Sequence, residues 1–208
     1  DEVSNVDAGI GSVNTVIKEN GKLRGLGTDG PGARKALLDA GAVLAGKRIL
    51  ILGSGGAARA IAFDLAFNAA SASIGLLGVI PEELTRLAAN LREKTTTPVS
   101  DALLDDSTLA AEMEKADVVI HATPIGMHPK EDQSLVPKQL FRVGQTVMDI
   151  VYNPLKTKLL ADAESRGLRT VSGLDMFVNQ AVLQFEAWTG KAAPVAVMRE
   201  AVLEGLKK

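Results

Sequence analysis

The sequence predicts an α/β fold built on a doubly wound, Rossmann-like parallel sheet, and three observations carry the prediction. A run of apolar residues, Ile49-Leu-Ile-Leu52, enters the glycine-rich turn Gly53-Ser-Gly-Gly56, and that turn opens directly into an alanine-rich helical stretch. From Lys47 onward, short apolar runs alternate with amphipathic helical ones, the order that lays a parallel sheet between two layers of helices. The strand-like runs are continuously apolar, as expected of strands covered on both faces.

Taken in order, residues 47–52 form the first strand of that sheet and residues 57–68 the helix after the turn. A second strand follows at 73–77 and a second helix at 81–93, with Pro81 suited to its first turn. A short third strand is expected at 96–100, a helix at 107–115 and a strand at 117–121. Strand 145–150 precedes the loop Val151-Tyr-Asn-Pro-Leu155, helix 157–166 ends at Gly167, and a last short strand occupies 168–171. The tail carries two helices broken near Thr189-Gly-Lys-Ala-Ala-Pro194.

Residues 1–46 stand outside this alternation. Residues 12–17 and 22–26 read as strands joined by the turn signal Lys18-Glu-Asn-Gly21, and 31–40 as a helix. They look like the end, or remnant, of a second domain. Three segments are therefore expected: 1–46, a sheet domain at 47–173, and C-terminal helices at 174–208.

Composition narrows the function. The chain has 208 residues, 46% of them hydrophobic, enough to fill a real core. A net charge of −2 argues against nucleic-acid binding, and 3% aromatic content leaves little for base stacking. Zero cysteines exclude disulfides and thiolate metal sites, and two histidines without carboxylates at ligand spacing give no metal site. No apolar run is long enough to cross a bilayer, and a cytoplasmic setting fits.

The glycine turn carries the chemistry. Gly53 permits a tight turn after the strand, while Gly55 and Gly56 let the backbone approach a pyrophosphate. The helix opening at Ala57 presents free N–H groups and the positive end of its dipole, so Gly53, Ser54, Gly55, Gly56 and Ala57 are candidate dinucleotide contacts. The competing reading is a turn that needs glycine for steric reasons alone.

Five motifs follow in order: Gly11-Ser-Val-Asn14-Thr-Val16, Gly25-Leu-Gly-Thr28-Asp29-Gly-Pro-Gly32, the glycine turn, Asn153-Pro-Leu-Lys-Thr157 and Gly173-Leu-Asp-Met176-Phe-Val-Asn-Gln180. In that order and spacing the chain resembles the shikimate dehydrogenase family over nearly its whole length. The resemblance implies reduction of 3-dehydroshikimate to shikimate with a nicotinamide cofactor, usually NADPH, in aromatic amino acid biosynthesis. Quinate or a related polyol is the alternative substrate, and a nucleotide-binding module without turnover the alternative of another kind.

Carried over residue by residue, the resemblance makes Asp29 the catalytic aspartate, working beside a lysine on the substrate hydroxyl. Asp29 also stands where a helix N-cap would, ahead of Pro31. Asn14 and Gln180 match positions that hydrogen-bond ring hydroxyls, and Tyr152 one near substrate and nicotinamide. Thr123 matches a position beside the dinucleotide, with Gly173 and Met176 bordering the nicotinamide. His121 and His128 lack an acid or serine partner nearby in sequence and read as structural or solvent-facing.

The chain departs from the family pattern in three ways. The family's catalytic lysine and the serine pair for the substrate carboxylate lie upstream of the Gly11 motif. An N-terminal substrate-binding domain, or a partner chain, is therefore expected to complete the site. Gly27 replaces the asparagine that usually precedes Thr28-Asp29. At the end of the second strand, Gly78-Val79-Ile80 stand where NADP-using members have Asn-Arg-Thr for the 2′-phosphate. NADP is expected from the family, and NAD is admitted by the missing arginine.

Overall fold

The computed structural model of the chain describes residues 1–207, so the last residue of the expected 174–208 segment lies outside it. The residues ahead of the glycine turn build a small sheet of their own from Glu2–Val3 (β1), Thr15–Glu19 (β2) and Lys22–Leu26 (β3). Its order is β1-β3-β2, with β2 antiparallel and β1 parallel to β3. The β2–β3 turn places Asn20 and Gly21 at φ 50° and 80°, the pair of positive values that a tight hairpin turn demands. The expected two-stranded hairpin is thus a three-stranded sheet, and β1 covers the outer edge of β3.

Helix Asn5–Ile10 (α1) was not foreseen, because one turn and a half offers too few apolar positions for a period to show. Ser4 caps it by accepting from Asp7 N–H at 3.1 Å. Helix Asp29–Asp39 (α2) leads out of this region and toward the large sheet.

That sheet comprises Arg48–Leu52 (β4), Ser73–Gly78 (β5), Val99–Leu103 (β6), Val118–His121 (β7), Thr146–Asp149 (β8) and Arg169–Val171 (β9). Its order is β6-β5-β4-β7-β8-β9 and every pairing is parallel. The order reverses between β4 and β7, and a crevice at the carboxyl ends of those two strands is where such sheets take ligands. The expected strand at 96–100 lies three residues later. Val99-Ser-Asp-Ala-Leu103 is a half-exposed edge, so it lacks the apolar run that marks its neighbours.

Side chains alternate between two helix layers. Ile49, Ile51, Ile74, Leu76 and Ile120 pack on one face with Gly56–Asn68 (α3) and Pro81–Lys94 (α4). Leu50, Leu52, Leu77, Val119 and Val147 pack on the other with Asp106–Lys115 (α5) and Lys158–Glu164 (α6). Gly173–Thr189 (α7) follows β9, and Val195–Gly205 (α8) lies against it through Val178, Val182, Met198 and Val202.

One arginine ties the N-terminal segment to the large layer. Arg59 on α3 donates to Ile10 O at 2.5 Å and Gly9 O at 2.7 Å, while Gly9 lies so close to Phe63 that a β-carbon there would fall 2.7 Å from the ring. The guanidinium takes the carbonyls left unpaired at the end of α1. Arg59→Ala is expected to lower local stability of residues 5–10 by about 1.5–3 kcal/mol, the range for hydrogen bonds to a charged group. Hydrogen exchange checks this: faster exchange in 5–10 with β4 unchanged is the expected outcome.

Candidate active site

Two glycines of α2 decide where Asp29 sits. A β-carbon on Gly30 would meet Ala60 O at 2.5 Å, and one on Gly32 would meet Gln180 N at 2.9 Å. Glycine at both positions lets the start of α2 lie directly on the backbones of α3 and α7. Asp29 is the first residue of this helix, and Thr28 occupies the N-cap position without a capping side-chain bond. The alternative role of Asp29 as an N-cap is therefore ruled out.

Asp29 instead belongs to a polar cluster. Asn14 Nδ2 donates to Asp29 Oδ1 at 3.1 Å and to Thr28 Oγ1 at 3.0 Å, while Asn14 Oδ1 accepts Thr28 N–H at 3.1 Å. The Thr28 hydroxyl lies 3.2 Å from Gln180 Oε1. Asn14, Asp29 and Gln180, far apart in sequence, are thus brought together. Burial raises the Asp29 carboxyl above its ordinary value of 3.8, against the Asn14 hydrogen bond, which lowers it.

A pocket of about 190 Å³ opens beside this cluster, lined by Asp29, Ala57, Ile150, Tyr152, Gly173, Met176, Phe177 and Gln180. Tyr152 stacks on Phe177 with ring centroids 4.8 Å apart, so Phe177 sets the pose of Tyr152. Phe177 and Ile150 had no sequence signal beyond their apolar character. Gly173 has a steric reason to be glycine, since a β-carbon would fall 2.3 Å from Ile150 O at the end of β8.

The pocket adjoins a larger cleft of about 660 Å³, and Ala57, Ile150 and Tyr152 line both. Gly55, Gly56 and Thr123 border the larger space. At Gly53, φ is +120° and a β-carbon would meet Ala122 O at 2.5 Å, so conformation and packing both require glycine. Gly55 and Gly56 differ: a β-carbon on either meets nothing within 4 Å. Packing does not explain these two glycines, and the space over their backbone is open cleft. Gly55 also caps α3 without a side-chain bond, which leaves the first N–H groups of that helix free for an anion.

An outer recess of about 210 Å³ continues past the turn to Gly78, Val79, Ile80 and Glu83. A β-carbon on Gly78 would fall 2.9 Å from Ser54 Oγ, so Gly78 makes room for Ser54. No lysine or arginine lines this recess among the described residues, and Glu83 is its charged residue.

Of the two alternatives, structural or solvent-facing, His121 takes the first. It is 1% exposed at the end of β7, and its Nδ1 lies 2.9 Å from Asp149 Oδ1, the residue opposite it on β8. The acid partner is there, twenty-eight positions away in sequence but adjacent in register. His121 Nε2 lies 2.5 Å from Thr123 Oγ1. His128 faces solvent with Glu131 at 2.7 Å. No group of three or more potential metal ligands converges among the described residues. No helix among them is long and apolar enough to cross a membrane.

Comparison with known proteins agrees with this geometry. Residues 173–203 match the family model described as the shikimate 5'-dehydrogenase C-terminal domain. A shikimate dehydrogenase (NADP(+)) of Moorella thermoacetica is 45% identical over 206 residues, which are 99% of this chain and 70% of that protein. The crystal structure of shikimate 5-dehydrogenase from Listeria monocytogenes in complex with shikimate and NAD superposes with a TM-score of 0.92 at 33% identity, over 97% of this chain and 71% of that one. A shikimate dehydrogenase in complex with NADP+ gives a TM-score of 0.86 at 36% identity, over 100% of this chain and 71% of that one. With the parallel sheet, the glycine crevice and 45% identity across almost all its residues in agreement, this chain belongs to the shikimate dehydrogenase family.

Proposed function

We propose that this chain serves a shikimate dehydrogenase, an oxidoreductase that reduces 3-dehydroshikimate to shikimate with NADPH in the cytoplasm. One observation carries the reading: the Asp29 pocket adjoins the glycine cleft, with Ala57, Ile150 and Tyr152 lining both. A ring bound at the polar cluster would be next to the cleft proposed to hold the dinucleotide. Residues 1–46 serve as part of the substrate-binding region, 47–173 as the dinucleotide-binding domain and 174–208 as helices packed between them.

A bound dinucleotide would supply the hydride. Ser54, Gly55, Gly56 and Ala57 would receive its pyrophosphate on backbone N–H groups and the α3 dipole, while Gly53, whose own N–H donates to Leu77 O at 2.7 Å, shapes the turn. Thr123, Gly173 and Met176 border the rest of it. Asn14 and Gln180 orient the substrate's hydroxyls, with amides that both donate and accept, and Tyr152 closes the space over the ring. Asp29 lies at the substrate hydroxyl, where it holds the ring in place and tunes the proton transfer that accompanies hydride movement. No lysine lines the pocket among the described residues, so the basic partner of Asp29 comes from a further segment or chain.

NADP is the cofactor proposed, on the names of the relatives. The recess at Gly78-Val79-Ile80 lacks the arginine that would hold a 2′-phosphate. Calorimetric titration is therefore expected to show NADP+ binding with NAD+ within about tenfold, since a charge-assisted bond of that kind contributes about 1.5–3 kcal/mol. A shikimate oxidation assay of the enzyme carrying this chain completes the test. Binding without turnover would reduce the chain to a nucleotide-binding module; absence of binding by either dinucleotide would overturn the proposal.

A further inference from the structure

We infer that His121 is a positioning residue for the dinucleotide. Its Nε2 fixes the Thr123 hydroxyl so that Thr123 offers an oxygen lone pair, and no proton, to a sugar hydroxyl or amide N–H of the bound molecule. The inference rests on reading the crevice above β4 and β7 as the dinucleotide site.

The chain of bonds starts at Asp149, which is 0% exposed. Its Oδ1 receives Val151 N–H at 3.0 Å and its Oδ2 the Thr157 hydroxyl at 2.6 Å. Thr157 Oγ1 in turn accepts Leu160 N–H at 3.3 Å, so its own proton is the one directed at Asp149. An acid engaged in this way is an acceptor on both oxygens, and the ring nitrogen facing it, His121 Nδ1, carries the imidazole proton. Neutral imidazole has a single N–H. In that neutral form Nε2 is an acceptor, and Thr123 Oγ1 at 2.5 Å donates to it.

The polarity of Thr123 follows. Its proton goes to His121 and one lone pair takes Ile125 N–H at 3.3 Å, which leaves an acceptor for the clefts that Thr123 lines. A phosphate oxygen, itself an acceptor, gains nothing from such a group; a hydroxyl or an amide does. Asp149 also anchors Val151, the residue before Tyr152. One buried cluster therefore sets both Thr123 and the loop that brings Tyr152 to the pocket.

Nitrogen NMR of the imidazole in the full chain reads the tautomer directly. Protonated Nδ1 with bare Nε2 is expected; a protonated Nε2 overturns the inference whatever the variants do. Titration with NADP+ closes a double-mutant cycle. Asparagine can reproduce the Nδ1 donor toward Asp149 but has nothing at Nε2, so His121→Asn keeps the anchor and releases Thr123.

His121→Asn and Thr123→Val are each expected to weaken NADP+ binding about three- to tenfold, the worth of one neutral hydrogen bond. The double variant should bind no more weakly than Thr123→Val alone. If His121→Asn weakens binding equally with and without the Thr123 hydroxyl, His121 acts through the fold and the inference fails. If the parent chain binds neither NADP+ nor NAD+, the dinucleotide reading fails with it, an outcome distinct from binding that ignores His121.

Discussion

Asp29→Asn in the enzyme that carries this chain is expected to cut turnover about a hundredfold or more, while dinucleotide affinity stays within about twofold. The substitution keeps the size of the side chain and can keep a contact with Asn14, which lies 3.1 Å away, so the polar cluster should persist. What disappears is a carboxylate able to share in proton movement at the substrate hydroxyl. The glycine turn is untouched, because Asp29 lines the inner pocket and not the glycine cleft. Steady-state kinetics with a dinucleotide titration check this. Normal turnover in the variant would remove Asp29 from the chemistry and leave it only its contact with Asn14.

Acid and stability give the same substitution a second readout. Burial holds the carboxyl of the folded chain above 3.8, and Asn14 offsets only part of that rise. A group whose folded value is raised binds its proton more tightly when folded, so the fold loses stability as pH rises through that value. At neutral pH the parent carries a partly buried charge that the asparagine variant lacks. Asp29→Asn should therefore be the more stable chain at neutral pH, with the advantage shrinking on acidification toward 3.8 and below, where the parent carboxyl is protonated as well. An acid limb of kcat/KM that belongs to this carboxyl should vanish with Asp29. Denaturation at two pH values and a pH–rate profile measure the two effects. A variant that gained stability and lost turnover would mark Asp29 as a residue kept for function at a cost in stability.

How much of this was legible in the sequence depended on the kind of signal involved. The central strands declare themselves because burial on both faces leaves uninterrupted apolar runs such as Ile49-Leu-Ile-Leu52. The edge strand Val99–Leu103 does not, since its Asp101 faces Arg92 at the surface and breaks the run. Asn14, Asp29 and Gln180 carried no local pattern that groups them. They meet because Gly30 and Gly32 let α2 close onto α3 and α7, a packing consequence that only the motif resemblance anticipated. His121 and Asp149 were invisible as a pair for a different reason. Their contact depends on β7 and β8 being neighbours in register, and a search for an acid nearby in sequence could not reach across that connection. Gly78 was read as a lost phosphate contact; beside Ser54 it is also a packing requirement, and a single sequence cannot separate the two.

Gly55→Val is expected to abolish detectable dinucleotide binding while leaving the fold within about 1 kcal/mol of the parent, as for other substitutions away from packed features. The two halves of this result have separate causes. A β-carbon on Gly55 meets nothing within 4 Å, and its backbone is extended at φ −73° and ψ −171°, a conformation that valine adopts without strain. Gly55 borders both the inner cleft and the outer recess, so branched methyl groups there project into the space over the first free N–H groups of α3. A pyrophosphate that needs to lie against that backbone is held off by the width of a side chain. Gly53→Val would be a poorer test, because the positive φ and the contact with Ala122 O would damage the turn itself and mix folding with binding. Calorimetric titration with NADP+ alongside thermal denaturation separates the effects for Gly55. A folded Gly55→Val chain that still bound NADP+ as the parent does would mean that the cleft over α3 is not where the dinucleotide lies, and the cofactor site would have to be sought away from the strand-order reversal between β4 and β7.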